Sequence, residues 1–277
     1  MSGYATQIAA ILIVNIVAAY SAYMPLACGQ LNLGIAGFMA IGAYTSAVLS
    51  GHGFALGISI IGGACASTIA GLAVSIPVLR ARGIYLTIAT LAFSEVVAAV
   101  LLNVNALGGA SGLVVADHMS IAPMFAAMLI VLAAVAWLGS TRFGLCMTAV
   151  RNDGRGTAVF GVRVRRVEVA ALTIGAGFAG IAGALYAHHF NYLEAQHFNV
   201  LLSTYAVLYA LLGGLQTPFG PLIGAVIFTL VPEFLRSTDQ WRYVGFGVCI
   251  VLLMLLRPEG LLTRRLIHEL PLRRHLA

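Results

Sequence analysis

The chain begins with a long apolar segment at residues 4–27, YATQIAAILIVNIVAAYSAYMPLA. The segment carries no charge, and the first Asp, Glu, Lys or Arg of the whole chain is Arg80. The hydrocarbon core of a bilayer is about 30 Å thick, and a helix of roughly 20 apolar residues crosses it. The segment therefore predicts a membrane-spanning helix. It lacks a basic n-region and a convincing cleavage site, so we expect the mature protein to retain it.

The rest of the chain has the same apolar character. Of 277 residues, 61% are hydrophobic and 9% are charged, against about 25% charged residues in a soluble domain. One water-soluble core cannot use so much apolar surface. The composition therefore predicts an all-α, polytopic transmembrane bundle of about 8–10 helices. We expect it to form a single domain over residues 1–277. Nine segments are expected: Tyr4–Ala27, Leu31–Ser50, Phe54–Leu79, Ile84–Leu102, Ile121–Ser140, Glu168–His188, Val200–Leu212, Phe219–Leu235 and Trp241–Leu256.

The arginines predict the orientation of these segments. With the N-terminus outside, thirteen of the fifteen basic residues fall on the inner face and only Arg236 and Arg242 fall outside. Short loops rich in arginine stay on the cytoplasmic side of a membrane. The pattern predicts a multi-pass membrane protein with a cytoplasmic C-terminus. The net charge of +6 does not predict nucleic-acid binding, because the arginines are scattered among the spans.

Two Gly-rich polar stretches interrupt the apolar pattern, GQLNLG at residues 29–34 and GGLQTP at residues 213–218. Irregular backbone at membrane depth is tolerated only where it is buried in protein or lines a wet cavity. Both stretches therefore predict broken or re-entrant helices. If either flanking segment is re-entrant, the number of crossings changes and the N-terminus moves to the inner face.

The longest positively charged connection, residues 141–167, is a candidate coupling loop. Within it, Ala149–Val162 is expected to form a short polar helix that ends at a glycine and lies on the membrane surface. Such a helix can dock into a groove of a cytoplasmic partner and transmit movement. Alternatively, the arginines only orient the protein and bind lipid headgroups. The candidate contacts are Arg151, Asp153, Arg155, Val159, Phe160 and Gly161.

Glu95 lies inside an apolar run, where a charged side chain costs about 2.5–3.5 kcal/mol on insertion scales. Thr87, Thr90 and Ser94 fall at helical spacing on one side of the same segment, with Glu95 at the edge of that side. Together with Asn32, these residues are candidates for a polar translocation path. Alternatively, Glu95 is neutral or paired with a donor on another helix, and the hydroxyl groups bond to their own helix backbone.

Small residues predict close helix packing. Residues 175–184 place glycine or alanine four positions apart in two registers, which lets helix backbones approach each other. The residues expected at such contacts are Gly175, Gly180, Gly183, Gly220 and Gly224. Three histidines, at positions 188, 189 and 197, are expected at the membrane interface and not at a metal site, since no carboxylate and cysteine set surrounds them. The four cysteines lack CxxC spacing and are expected to be buried fillers.

Several segments together resemble the branched-chain amino acid permease family of bacterial ABC importers, in particular its LivM-like branch. In the order of that family they are Gly29–Gly34 with Gly42–Tyr44, Arg82–Tyr85 through Thr90–Glu95, Arg151–Gly161, Phe178–Tyr186, Gly213–Leu215 with Gly220–Pro221, and Arg257–Leu261. The resemblance implies that Arg151–Gly161 contacts an ATP-binding subunit. Gly154 and Gly156-Thr157 stand where the family tends to have Glu and Ala-Ala, which weakens the coupling helix at about 1 kcal/mol per glycine.

The resemblance also implies a location in the bacterial cytoplasmic (inner) membrane. It implies the partners as well: a second related permease, two ATP-binding subunits and a soluble substrate-binding protein outside the membrane. The implied solute is a branched-chain or other small amino acid, with short amides and urea as alternatives. No GxxxxGK[ST] motif occurs, so the chain is expected to bind no cofactor and to rely on ATP used by its partners.

Two other classes of function are weighed against an importer subunit. An ion-coupled secondary transporter or channel is the alternative, but such proteins place several ionisable residues at mid-membrane, whereas Glu95 stands nearly alone. An enzyme is not expected, because the spans offer neither a nucleophile with its base nor a metal-binding set.

Overall fold

The computed structural model describes residues 3–81, 83–234, 247–248, 251, 255 and 260–262. These residues form an almost entirely helical structure, which confirms the predicted all-α bundle. The helices are α1 (Gly3–Leu26), α2 (Ile35–Gly51), α3 (Leu56–Val78), α4 (Ile84–Asn103), α5 (Ile121–Ser140), α6 (Arg142–Asn152), α7 (Gly154–Val159), α8 (Val164–Phe190), α9 (Val200–Gly213) and α10 (Gly220–Phe234).

Five of the described helices, α1, α3, α4, α5 and α8, are long and apolar enough to cross a bilayer, and α2, α9 and α10 are shorter apolar helices. Two predicted boundaries were wrong. Helix α2 begins at Ile35 and not at Leu31, because residues 30–34 are not helical. Helix α8 begins at Val164 and not at Glu168, because it continues through its basic first turn. The predicted segment Trp241–Leu256 falls largely outside the described residues.

Helix α8 lies at the centre of the bundle and packs against α1, α2 and α3. Its glycines permit this packing. A Cβ atom at Gly175 would lie 2.6 Å from the carbonyl oxygen of Ser21 in α1. A Cβ atom at Gly180 would lie 2.5 Å from the Cβ of Ser67 in α3, and one at Gly183 would overlap the backbone of α2. Larger side chains at these positions would force the helices apart.

Helix α3 contributes a complementary stripe that the sequence analysis missed. Its buried residues recur at every fourth position and are all small: Ser59, Gly63, Ser67, Gly71 and Ser75. The Oγ of Ser67 donates a 2.5 Å hydrogen bond to the carbonyl oxygen of Phe38 in α2. The small-xxx-small pattern was visible in the sequence and indicates close helix contacts in membranes.

Helices α9 and α10, which the second Gly-rich stretch connects, form a tight antiparallel pair. A Cβ atom at Gly220 would overlap the carbonyl oxygen of Gly214, and one at Gly224 would overlap that of Tyr209. The pair is attached to α1 by a 3.0 Å hydrogen bond from Asn15 Nδ2 to Thr229 Oγ1.

One end of the bundle gathers the coupling loop and several helix ends. Nη2 of Arg165, at the start of α8, donates a 2.9 Å hydrogen bond to the carbonyl oxygen of Ile76, near the end of α3. Gly29, just after α1, packs against Arg151 in α6. We call this end, which contains α6, α7, the ends of α1 and α3 and the start of α8, the arginine face.

The other end of the bundle is closed by two loops. Strand β1 (Leu113–Val114) pairs with strand β2 (Tyr192–Leu193), which joins the α4–α5 loop to the α8–α9 loop. Beneath them, Nε2 of the fully buried His188 lies 2.8 Å from Oγ of Ser46. We call this end the loop face.

Candidate coupling surface and broken helix

The coupling loop contains two short helices, so the expectation of one polar helix over Ala149–Val162 was wrong. Asp153 separates α6 from α7 with an extended backbone. Its Oδ1 accepts hydrogen bonds from the backbone N–H groups of Arg155 and Gly156, each at 3.0 Å. This N-cap satisfies donors that a helix start leaves open. A Cβ atom at position 156 would lie 2.5 Å from Oδ2 of Asp153, so glycine there accommodates the cap.

The end of α7 presents large apolar side chains to the surroundings. Val159 is 86% exposed and Phe160 is 89% exposed. The other predicted coupling residues, Arg151, Asp153, Arg155 and Gly161, are also exposed. Adjacent exposed apolar side chains with polar groups around them are typical of a protein interaction site. The arginines around them also suit an anionic partner or lipid headgroups.

Helix α6 contacts the first broken segment through a glycine. Gly29 has φ +79°, a conformation that residues with a Cβ atom rarely adopt. A Cβ atom there would lie 3.6 Å from both Cα and Cγ of Arg151. The backbone turn that begins the break therefore rests on the coupling loop. The sequence analysis did not predict this proximity. The one sequence feature that indicates it is a glycine directly after an apolar helix.

Hydroxyl groups of α4 bond to the broken segment. The backbone N–H of Leu33 donates a 3.0 Å hydrogen bond to Thr90 Oγ1, and Thr87 Oγ1 donates a 3.2 Å bond to the carbonyl oxygen of Leu31. Thr90 Oγ1 also donates to the carbonyl oxygen of Thr87 at 3.0 Å. These contacts replace hydrogen bonds that a continuous helix would have made, as backbone at membrane depth requires.

Asn32 and Ser94 lie beside the same segment. Oδ1 of Asn32 accepts a 2.8 Å hydrogen bond from the backbone N–H of Gly34, immediately before α2. Ser94 is fully buried, and a Cβ atom at Gly37 of α2 would lie 2.9 Å from its Cα. The structure thus brings four of the predicted path residues, including both threonines, together around the break. Their part in translocation stays a prediction.

Glu95 is separated from that group. Its side chain is exposed on the outer side of α4, with Ile88 and Val96 exposed on the same side. It makes no hydrogen bond to the residues that the structure describes. In a bilayer this side of α4 would meet lipid or another protein chain. Since a carboxyl group facing lipid is costly, the position favours contact with another protein.

A cavity of about 610 Å³ lies between the first break and the coupling loop. Its walls come from the turn after α1, the α3–α4 connection, α6, α7 and the first turns of α8. The side chain of Gln30, on the break, is buried to all but 5% of its surface. Oε1 of Gln30 has no hydrogen-bond partner among the described residues. The sequence analysis included Gln30 in the polar stretch but gave it no role.

The loop face carries the three predicted histidines and also His118, whose ring centroid lies 5.5 Å from that of His189. His188 was expected at the membrane interface but is fully buried. His118 Nδ1 lies 2.8 Å from Asn191 Oδ1, and His189 Nδ1 lies 3.0 Å from the carbonyl oxygen of Met119. The ring of His197 stacks on Tyr186 with centroids 4.9 Å apart. Burial lowers the pKa of His197, so this ring is neutral at pH 7. These contacts join the two loops to each other and to α8.

Residues 4–256 match the protein family described as "Branched-chain amino acid transport system / permease component". The chain is 31% identical over 273 residues to the high-affinity branched-chain amino acid transport system permease protein LivM of Escherichia coli, covering 84% of this chain and 64% of that protein. It is 25% identical over 226 residues to a probable branched-chain amino acid transport permease protein LivM of Methanocaldococcus jannaschii, covering 72% and 66%.

A shorter similarity, 30% identity over 150 residues, links the chain to the autoinducer 2 import system permease protein LsrC of Yersinia pseudotuberculosis, covering 51% of this chain and 42% of that protein. The match to the Escherichia coli relative covers 64% of that protein, so the chain spans less than two thirds of its length. No solved structure matches the chain.

Proposed function

The chain belongs to the branched-chain amino acid transport system permease family, and from this premise we propose that it is the membrane-spanning permease subunit of an ATP-binding-cassette importer. Its solute is a branched-chain amino acid or a related small amino acid. Two ATP-binding subunits supply the energy, since the chain contains no nucleotide-binding motif. A second, related permease and a soluble substrate-binding protein complete the complex.

One observation carries this proposal: the coupling loop lies directly beside the broken membrane segment. A Cβ atom at Gly29 would lie 3.6 Å from Cα and Cγ of Arg151, and the break that follows Gly29 is bonded to Thr87 and Thr90 of α4. A partner that moves α6 and α7 therefore has a direct mechanical route to irregular backbone inside the membrane. A subunit driven by a separate ATPase needs such a route.

The same proposal orients the chain in the membrane. The arginine face is cytosolic in agreement with the positive-inside rule, and Val159 with Phe160 inserts into the ATPase subunit. The loop face points outward, towards the binding protein. The exposed side of α4 contacts the second permease, where Glu95 meets a donor group. The translocation path runs along this interface, past the break.

The test is a double substitution on the coupling surface, one that reverses a charge and one that places a charge on the apolar anchor. In membranes that contain the ATPase subunits, the variant Arg151→Glu with Phe160→Asp should insert normally and fail to co-purify with the ATPase. The matched control is Tyr192→Asp, which places the same acid at an exposed aromatic residue on the loop face. It should co-purify like the unmodified chain. Undiminished co-purification of the double variant would reject the docking role.

A further inference from the structure

A groove of about 1030 Å³ lies on the surface of the bundle where α3, α7 and α8 meet. Leu72 and Ile76 of α3 form one wall and are 46% and 51% exposed. Val169 and Ile174 of α8 form the other wall, and the end of α7 contributes Ala158. The groove is therefore open to the surroundings of the bundle, and its walls are mostly aliphatic.

The groove extends from the arginine face into the membrane. On α8, the lining residue Ile174 is ten residues past the start of the helix at Val164, which is about 15 Å along the helix axis. Half of the hydrocarbon core is also about 15 Å thick. Both α3 and α8 are long and apolar enough to cross a bilayer. The groove therefore matches the depth of one lipid leaflet, and its inner part is beyond the reach of a soluble protein.

Three arginines lie at the mouth of the groove. Arg163, Arg165 and Arg166 line it at the start of α8, and all three are exposed. Nη2 of Arg165 donates its 2.9 Å hydrogen bond to the carbonyl oxygen of Ile76, so this side chain bridges α8 and α3. The guanidinium groups of Arg163 and Arg166 make no hydrogen bond or ion pair to the described residues. Two of the three arginines are thus available to a ligand.

Among the described residues, no acid lines this groove. Asp153 and Glu168 line the other cavity, beside the first break. The α3–α4 connection adds Arg80 and Arg82, and the first 94 residues of the chain contain no Asp or Glu. The C-terminal residues 263–277 carry four arginines and one glutamate, so their charge does not complement the groove. A complementary ligand is anionic at the mouth and apolar below it.

We propose that the groove binds an anionic phospholipid from the leaflet at the arginine face. Its phosphate group accepts hydrogen bonds from Arg163 and Arg166, whose planar guanidinium groups match phosphate oxygens, and its acyl chains pack between α3 and α8. Basic pockets between membrane helices bind acidic lipid headgroups in this way. Because α7 also lines the groove, the lipid ties the coupling loop to the bilayer. The proposal requires that α3 and α8 cross a membrane and does not depend on the transported solute.

The experiment identifies the lipid in the groove by quenching of a single tryptophan. In the full chain, Trp137 and Trp241 are replaced by phenylalanine and Ile76 by tryptophan. The protein is reconstituted in phosphatidylcholine vesicles that contain either brominated phosphatidylglycerol or brominated phosphatidylcholine, and bromine quenches a tryptophan that contacts the brominated lipid. Ile76→Trp should prefer phosphatidylglycerol by at least about fivefold, the factor that one arginine near a membrane surface contributes.

Ile61→Trp in the same background is the matched control. Ile61 is 64% exposed on the same helix and does not line the groove, so the two brominated lipids should quench it equally. Equal quenching by the two lipids at Ile76→Trp would overturn the proposal. Quenching at Ile76→Trp that is far weaker than at Ile61→Trp with both lipids would also overturn it, because a protein segment would then cover the groove.

Substitution of the arginines separates their charge from the fold. Arg163→Gln with Arg166→Gln should remove most of the preference for phosphatidylglycerol at Ile76→Trp, whereas lysine at both positions keeps the charge and should retain much of it. A preference that survives the double glutamine variant would overturn the assignment of the phosphate to these arginines.

A soluble anion is the remaining alternative occupant. Millimolar sodium phosphate, added at constant ionic strength so that screening does not change, should leave the preference for phosphatidylglycerol intact. Loss of the preference would identify a site for free phosphate and overturn the lipid proposal.

Discussion

The two interruptions of the membrane helices are built differently. At the first, residues 29–34, the backbone is bonded by side chains of α4, and it borders a cavity and the coupling loop. At the second, residues 213–218, the backbone is closed by direct contact between glycines, and Leu261 and Leu262 donate backbone hydrogen bonds to the carbonyl oxygens of Leu212 and Gly213.

This difference indicates different mechanical roles. Contact between two backbones leaves no room for rearrangement, because packed interiors are not continuously deformable. Side-chain hydrogen bonds beside a cavity can exchange partners at low cost. The first break is therefore the one that could respond to the proposed ATPase subunits, and the second holds α9 and α10 in place. Three substitutions test this contrast, and a fourth tests the exposed side of α4.

The largest effect on stability is expected at the second break. Gly220→Val places side-chain atoms where the carbonyl oxygen of Gly214 lies. Because backbone cannot move aside, the free energy of unfolding should fall by about 3 kcal/mol or more. The measurement is the temperature at which the detergent-solubilised chain loses its monodisperse size-exclusion peak. Gly57→Val, at an exposed position of α3 with no described atom within 4 Å of its Cβ, is the control and should change that temperature little.

A smaller loss is expected where a hydroxyl group bonds to the first break. Thr90→Val keeps the shape of the side chain and leaves the N–H of Leu33 without its acceptor. Such a loss costs about 1–3 kcal/mol, so the same temperature should fall, by less than for Gly220→Val. Thr90→Ser keeps the oxygen and should restore most of the stability. If valine and serine behave alike, the hydrogen bond does not hold the break.

The contact between Gly29 and Arg151 should affect transport more than stability. Gly29→Ala introduces a Cβ atom at φ +79°, which costs about 1–2 kcal/mol. Gly53→Ala has the same backbone cost at φ +84° with no described atom near its Cβ. Both variants should lose similar stability, but only Gly29→Ala should lower amino acid uptake per complex. Equal uptake by the two would show that the contact does not transmit movement.

The smallest change in the stability of the isolated chain is expected at Glu95. This side chain is exposed and bonds to none of the described residues. Glu95→Leu should therefore change the free energy of unfolding by no more than about 0.5 kcal/mol, and the temperature at which the size-exclusion peak is lost should stay nearly the same. Uptake per inserted molecule should nevertheless fall, because the donor that we propose on a second permease would lose its acceptor. Glu95→Gln, which keeps an acceptor oxygen, should retain more uptake. Unchanged uptake in the leucine variant would make Glu95 dispensable for transport.

Much of the architecture followed from local pattern. The limits of α5 were predicted to the residue, because long apolar runs bounded by polar residues leave few choices. The cap at Asp153, which precedes Gly154, was missed, although Asp is a preferred residue at the start of a helix. The stripe of small residues in α3 was missed because its serines looked like ordinary polar interruptions. The partner of Gly29 could not be predicted, since a glycine has no side chain that identifies its neighbour.

The sequence alone determined that the chain crosses a membrane repeatedly, where its helices break, and which loops carry the positive charge. These properties depend on hydropathy, glycine content and charge over short stretches. Only the tertiary structure decided that Thr90 bonds to Leu33, 57 residues away, that Glu95 faces outward, and that Gln30 lies in a cavity beside the coupling loop. Such contacts depend on how the helices pack, and no local pattern encodes which polar groups then meet.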